Sequence, residues 1–445
     1  MKIEIFNAKN RYDYEELIKL FLRPSEYEIC LSGEGERAED KNAVKRELYD
    51  MLSEKTGRRP PWGILTGVRP VKLAGELYDR LGSYDEVLKL LKSEYYLRED
   101  KAKLITEIYA YQQERLGKAP ENEASVYAGI PFCPTRCLYC SFASNQKDYS
   151  EIKRYLKALI AEAEYTGERF ISSGRKAESL YIGGGTPTTL KAEDLEELII
   201  LLREKFGLDK DKALKEFTVE AGRPDTVSRD RLRVLREQGV SRISINPQTV
   251  NDKTLELIGR SHTYEDFLRA FVLARKAGFT DINCDLICGL PEEGLSDFAA
   301  SLDKMIELEA ENITVHTLAV KRASRLHEED EDYHYRQGGI VSDMLYLAED
   351  RLRAAGYRPY YLYRQKHMAG ALENIGWCRN NKIGVYNIRI MEEKQTIVAM
   401  GAGGISKRFY PAENRLERVP NVSNYEIYIE RLGEMLERKE KGLFA

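Results

Sequence analysis

From Ser125 to about Val320 the chain alternates short β-branched runs with longer stretches whose apolar residues recur at helical spacing, the pattern of a parallel α/β unit. Six strands are predicted, at 126–130, 180–183, 217–220, 242–246, 281–287 and 312–318. Between them the helical stretches are amphipathic; over 149–170, Ile152, Tyr155, Leu156, Leu159 and Ile160 fall on one stripe. Six strands rather than eight predict an open, partial barrel. In such folds the chemistry gathers at the C-terminal ends of the strands.

The flanking segments follow other patterns. Residues 1–122 read as an N-terminal α+β module, with strands at 3–6 and 27–31 and helices at 12–22, 41–55, 84–92 and 98–116. Within it, Arg58-Arg59-Pro60-Pro61-Trp62-Gly63 through Arg69-Pro70 forms a defined loop or arm. Its arginines are suited to holding a carboxylate, and a packing arm with Trp62 buried is the other reading. Residues 117–123 read as a linker. The barrel occupies 123–325, and the acidic run at 328–332 marks a solvated boundary to a C-terminal α+β domain, 326–445. There a helix is predicted at 341–355, strand-like runs at 357–364 and 385–391, a tight turn at 401–406 and a closing helix at 423–438. Tyr360, Tyr361 and Tyr363 with Arg364, Lys366 and His367 suit a large, flat, acidic molecule; a small sheet with aromatic cross-strand pairs explains them equally well.

Composition narrows the class. With 42% hydrophobic and 32% charged residues the chain reads as an ordinary globular protein. A net charge of −4 gives no global electrostatic case for nucleic acid, so an anionic substrate needs a local basic pocket. No apolar run approaches the roughly 20 residues of a membrane helix, and Glu4 comes too early for a signal peptide, so a cytoplasmic location is expected.

Seven cysteines, three of them clustered, fit a reducing compartment in which thiols serve a metal. Cys133, Cys137 and Cys140 stand at CxxxCxxC spacing just after the first barrel strand. Three thiolates this close suit a four-iron cluster, which normally takes four cysteines, so one iron is left open. A zinc site usually shows two separated ligand pairs, and no second pair is present. An open iron is what the amino and carboxylate groups of S-adenosylmethionine need. After the second strand, Gly183-Gly184-Gly185-Thr186 lets the backbone approach a ligand. Glu220 ends the third strand, Gln248 follows the fourth, Arg260 lies at a helix end, and Asp285 sits inside the apolar fifth strand, where a carboxylate needs a partner. His316, in the sixth, reads as a histidine satisfied by its neighbours.

These motifs resemble the radical S-adenosylmethionine superfamily, whose signature is CxxxCxxC with an aromatic residue, here Tyr139, before the last cysteine. Ile-Pro-Phe-Cys, Gly-Gly-Gly-Thr-Pro-Thr, Thr-Val-Glu, Arg-Ile-Ser, Gly-Arg-Ser-His-Thr and Asp-Leu-Ile-Cys-Gly-Leu-Pro together are similar to the oxygen-independent coproporphyrinogen III oxidase group. The Arg-Pro-Pro-Trp arm and Tyr363-Arg364-Gln365-Lys366 resemble its coproporphyrinogen dehydrogenase branch. The resemblance implies a partial (β/α)6 barrel, a [4Fe-4S] cluster on Cys133, Cys137 and Cys140, and S-adenosylmethionine against Tyr127, Phe132, Gly184, Gly185, Thr186, Glu220, Gln248, Arg260 and Asp285. It also implies a tetrapyrrole substrate whose carboxylates meet Arg59, Arg69, Arg364 and Lys366, and a reduced flavodoxin- or ferredoxin-type electron donor. The implied reaction converts propionate side chains to vinyl groups. Two positions depart from the best-characterised oxidases: Phe142 stands where they have a further cysteine, and Gly129 where they have a histidine. A haem-binding trafficking protein and another radical reaction on haem are the alternatives; the C-terminal His-Asn-aromatic signature of the haem chaperone branch is absent, His367 being followed by Met-Ala-Gly.

Overall fold

A computed structural model describes residues 1–6, 11–32, 41–142, 144–209, 214–321 and 323–445. At the N-terminus β1 (Lys2–Phe6) and β2 (Glu28–Ser32) pair in parallel, covered by helices Arg11–Ile18 and Lys41–Thr56. Ile3, Ile5, Leu17, Ile18, Leu52 and Ile64 close a small core of their own.

The rest of the chain is built on one sheet. Its parallel heart comprises β3 (Glu123–Ile130), β4 (Lys176–Gly184), β5 (Glu216–Glu220), β6 (Arg242–Ser244), β7 (Ile282–Cys288) and β8 (Asn312–Thr317). These are the six predicted strands, and neighbouring members pair in parallel register. One face of these strands, with residues such as Val126, Leu180, Val219, Ile243, Leu286 and Val315, is apolar and is covered by helices such as Tyr149–Ser172 and Ala192–Lys205, while the alternate positions carry polar side chains such as Tyr127, Tyr181, Glu220 and Asp285. Residues beyond 326 extend the same sheet. On one edge β10 (Asn374–Cys378) runs antiparallel to β8, and β9 (Arg358–Tyr363) pairs antiparallel with the outer side of β10. On the other, β11 (Thr396–Met400) joins β3 in parallel, followed by β12 (Ile405–Tyr410) and β13 (Arg415–Pro420), giving an eleven-stranded sheet.

Four sequence expectations change. The run at 385–391 is not a strand but part of helix Val385–Glu392, in which Val385, Tyr386, Ile388 and Arg389 are buried at helical spacing. Its β-branched residues imitate a strand, and burial of one face decides the matter. The strand nearby is β11, five buried residues that carry no alternation. A further helix, Pro70–Leu81, directly follows the arm, with Pro70 at its first position and Gly82 in the left-handed conformation at its end. The closing helix is two, Tyr425–Glu430 and Leu432–Lys439, broken at Arg431.

Buried carboxylates fasten distant segments to the barrel. Glu178 of β4 accepts from Arg389 at 2.8 and 2.9 Å, from Lys215 at 2.7 Å and from Gln395 at 2.6 Å. Glu373 accepts from Trp62 Nε1 at 2.9 Å and Lys101 Nζ at 2.5 Å, tying the arm to the C-terminal segment. Trp62 is therefore a packing residue, with the Arg364 guanidinium 4.9 Å above its ring. Among the described residues no helix is long and apolar enough to cross a membrane.

Removing one partner of a buried ion pair leaves an uncompensated charge. Arg389→Met is expected to lower stability by roughly 3–5 kcal/mol, with Arg389→Met/Glu178→Gln recovering part of that loss in chemical unfolding.

Candidate active site

The cysteine loop leaves β3 at Ile130 and is held by backbone bonds from both sides. Cys133 N donates to Asn145 O at 3.1 Å, Leu138 N to Ile258 O at 2.9 Å, and Cys140 N to Cys137 O at 3.1 Å. Arg223 Nη1 reaches Thr135 Oγ1 at 2.9 Å, and that hydroxyl donates to Gly259 O at 2.7 Å. The turn after β4 then docks on the loop, with Gly185 N donating to Ile130 O and Thr186 N to Phe132 O, each at 2.8 Å. A Cβ on Gly185 would stand 2.6 Å from Phe132 O and 2.9 Å from Cys133 Sγ. The glycine is required by this close approach, and Gly184 has φ of 112°, which favours glycine as well.

The donor set fits an iron-sulfur cluster. Burial, partly offset by the Thr186 hydroxyl 3.4 Å away and reinforced by Cys140 and Cys137, lifts the Cys133 thiol to about 11. A thiol so disfavoured as a thiolate, on a loop with two further cysteines, is stabilised in its ionised form by a metal. In this ligand-free arrangement no three Cys, His, Asp or Glu side chains close on a common point among the described residues. The other thiols lie elsewhere in the fold: Cys30 on β2, Cys284 and Cys288 in β7, and Cys378 on β10 beside Tyr111.

Beside the loop, the strand ends present a polar wall. Tyr127, Tyr181 and Tyr386 stack on one another with centroids 4.5–6.1 Å apart. Glu220 accepts from Tyr181 Oη at 2.6 Å and from Gly184 N at 3.2 Å. Burial, opposed by the Tyr181 bond and aided by nearby Asp285, raises the Glu220 carboxyl to about 7. Asp285 behaves oppositely: burial works against its charge, but His316, Asn283 and Thr314 hold it below the usual carboxylate range. Gln248 has a positive φ of 69°, uncommon for a residue with a side chain, and its Oε1 is buried without a hydrogen-bond partner. Arg260 donates through Nη1 to Asn246 O at 2.7 Å, while its Nε is buried and unpaired. Unsatisfied buried polar atoms at strand ends are what a bound polar ligand would complete, and this wall fits the amino acid and sulfonium parts of S-adenosylmethionine.

Phe132 lies behind the wall, packed edge-on against Tyr155 and Tyr425 at 5.3 Å. At Gly129 the Tyr127 ring and Met400 O stand 3.2 and 3.4 Å from where a Cβ would be, so no histidine fits there unless its neighbours shift. Phe142 is exposed, with Lys321 Nζ 5.6 Å above its ring.

A cavity of about 550 Å³ lies where Lys321 approaches Phe142, two residues beyond Cys140. Val68 and Arg69 from the arm, Lys321 after β8, and Tyr363, Arg364, Gln365, Lys366 and His367 from the C-terminal segment line it with Met391. Arg69 sits 3.2 Å from Glu393 and keeps a buried, unpaired Nε. Arg364 donates to Leu65 O at 2.6 Å and Ala371 O at 2.9 Å, and burial lowers it to about 10. Lys366 meets Glu16 at 3.5 Å and the Tyr12 ring at 3.8 Å. Arg59 is exposed and outside the cavity wall. The sequence reading overlooked Lys321, Tyr181 and Tyr386, and treated His316 as merely satisfied; an isolated lysine after an apolar strand carries no local signal.

Two outcomes test this geometry. Iron per protein after anaerobic reconstitution should fall by more than half in Cys133→Ala, Cys137→Ala, Cys140→Ala and Gly185→Val, and persist in Cys288→Ser and Cys378→Ser. Glu220 has its folded pKa raised from the ordinary 4.5 to about 7, so the charge it acquires destabilises the fold progressively as pH rises from about 4.5 to 7. Glu220→Gln should therefore stabilise the ligand-free protein by about 1–3 kcal/mol at pH 8 and by almost nothing at pH 5, read from unfolding midpoints.

Comparison with known proteins agrees with this geometry. Residues 127–305 match the Radical SAM superfamily. The oxygen-independent coproporphyrinogen-III oxidase-like protein HemZ of Bacillus subtilis (strain 168) is 38% identical over 410 residues, covering 91% of this chain and 81% of HemZ. The haem chaperone HemW of the same organism is 37% identical over 198 residues, covering 44% of this chain and 51% of HemW. Coproporphyrinogen III oxidase (HemN) from Escherichia coli, described as a radical SAM enzyme, superposes with a TM-score of 0.55 at 24% identity, covering 74% of this chain and 73% of its own. The chain belongs to the radical S-adenosylmethionine superfamily and, within it, to the oxygen-independent coproporphyrinogen III oxidase-like group, whose cofactors are a [4Fe-4S] cluster and S-adenosylmethionine.

Proposed function

We propose that the protein oxidatively decarboxylates propionate side chains of coproporphyrinogen III to vinyl groups without oxygen, in haem biosynthesis. The observation that carries this reading is the cavity at Lys321, whose wall includes Arg69, Lys321, Arg364 and Lys366 and, among the described residues, no carboxylate. Its size and charge suit a large polycarboxylate. The relatives' names, oxidase-like protein and haem chaperone, support tetrapyrroles as the ligand class.

A [4Fe-4S] cluster with S-adenosylmethionine, when bound at Cys133, Cys137 and Cys140, would supply radical chemistry able to take hydrogen from a propionate carbon. The chain's own part is positioning. Cys133, Cys137 and Cys140 would hold the cluster. Tyr127, Gly184, Gly185, Thr186, Glu220, Gln248, Arg260 and Asp285 frame the amino acid and nucleoside, with Phe132 packed behind them. Arg69 and Lys321 receive substrate carboxylates, with Lys366 at the rim, while Arg364, engaged with two backbone carbonyls, shapes the wall. Arg59 has no part in this assignment. A reduced flavodoxin- or ferredoxin-type protein supplies the electron.

Under reductant, the reconstituted protein with S-adenosylmethionine and coproporphyrinogen III should release 5′-deoxyadenosine and carbon dioxide. Lys321→Ala and Arg69→Ala should each raise KM about tenfold, the loss of one charge-assisted contact. Cofactor cleavage with haem but not with coproporphyrinogen would reject the oxidase reading, and stoichiometric haem binding without cleavage under either condition would replace it with a trafficking role.

A further inference from the structure

Three polar side chains join the cofactor wall to the cavity. Asp285 Oδ2 on β7 lies 3.5 Å from Nε2 of His316 on β8. Across the ring, His316 Nδ1 is 3.3 Å from the hydroxyl of Tyr363, at the end of β9. Tyr363 lines the cavity. Both ends of this connection are held: Asp285 Oδ1 accepts from Asn283 Nδ2 at 2.8 Å, and the Tyr363 ring stacks on Tyr361 with centroids 6.1 Å apart and planes 12° from parallel.

The donor and acceptor roles follow from the groups present. An ionised carboxylate only accepts hydrogen bonds, so Asp285 selects the tautomer with its proton on Nε2. When the ring carries only that proton, Nδ1 is an acceptor and the Tyr363 proton is directed to it. The phenol oxygen accepts from the Gln365 side chain and keeps a second lone pair for a ligand at the cavity. A lone pair there suits a ligand N–H, and a tetrapyrrole carries pyrrole N–H groups only while it is unmetallated.

We propose that Tyr363 accepts a hydrogen bond from a pyrrole N–H of an unmetallated tetrapyrrole, and that His316, held by Asp285, is the positioning residue that gives the hydroxyl this acceptor character. The inference rests on the tetrapyrrole reading of the cavity. It makes the triad a selector for ring state: carboxylates are read by Arg69 and Lys321, and the empty ring centre by Tyr363.

The test uses the full-length protein, its cluster reconstituted, with two probes that share the same carboxylates. Coproporphyrinogen III has pyrrole N–H groups, and zinc coproporphyrin III has none. Bound fractions are measured by anaerobic ultrafiltration, followed by porphyrin fluorescence after oxidation. Tyr363→Phe and His316→Leu should each weaken porphyrinogen binding about tenfold while changing the zinc complex less than twofold. The double variant should be no worse than either single one, because the two residues act as a unit. His316→Gln, which can donate to Asp285 and accept from Tyr363, should recover most of the loss.

Equal weakening for both probes, multiplied losses in the double variant, or no effect of Tyr363→Phe would overturn the proposal. Failure of the unsubstituted protein to bind either probe would overturn it together with the tetrapyrrole reading. The selective pattern without carbon dioxide release on adding S-adenosylmethionine and reductant would support the selector and reject the oxidase reading.

Discussion

The close approach of the turn after β4 to the cysteine loop after β3 is the constraint on which the site depends. Two backbone hydrogen bonds, from Gly185 to Ile130 and from Thr186 to Phe132, hold the loop in place from one side. They form only because Gly185 has no side chain at a point where a Cβ would strike both a carbonyl oxygen and the Cys133 sulfur. The parallel register of β3 and β4, which sets Gly129 beside Gly183 and Ile130 beside Gly184, delivers the two segments to the same end of the sheet. The other side of the loop is clamped by Ile258, Gly259 and Arg223, from segments that follow β5 and β6. The backbone of the loop is thus fixed, and side-chain rotation is what remains to bring the three thiols onto a cluster.

Buried charge then decides where the remaining segments sit. Glu178, Glu373 and Glu162 each meet donors far away in sequence: Arg389 at a separation of 211, Lys101 at 272, and Tyr428 at 266. Such pairs add little net stability over apolar packing, but each carboxylate tolerates only an arrangement that supplies its donors. Glu373 brings Lys101 and Trp62 together, and Trp62 in turn supports Arg364. That chain of contacts seats the arm against the C-terminal segment and so creates the cavity lined by both.

Within the barrel, two carboxylates are driven in opposite directions. Glu220 is raised to about 7 by burial, while Asp285 is held charged by His316, Asn283 and Thr314. Paired groups with divergent environments are a frequent mark of a functional site. Here the divergence gives the wall one firm negative charge and one that responds to what binds, which suits a ligand carrying both an ammonium and a sulfonium.

The sequence by itself determined the six parallel strands and the place of the cysteine loop among them, because periodicity and CxxxCxxC spacing are local properties. It determined equally the glycine turn, whose meaning depends on the missing side chains. What the tertiary structure alone decided lies in pairings with distant residues. Five buried residues became β11 because β3 offered a free edge, and Val385–Glu392 became a helix because one of its faces is buried, with Arg389 on that face meeting Glu178. Arginines that look alike in sequence parted company: Arg59 faces solvent, Arg364 serves carbonyls, and Arg69 keeps an unpaired nitrogen at the cavity. His316 carried no signal of its own until β7 and β9 set Asp285 and Tyr363 on either side of its ring. A side chain's role follows from the charge and hydrogen-bonding partners around it, and only the folded chain brings those partners together.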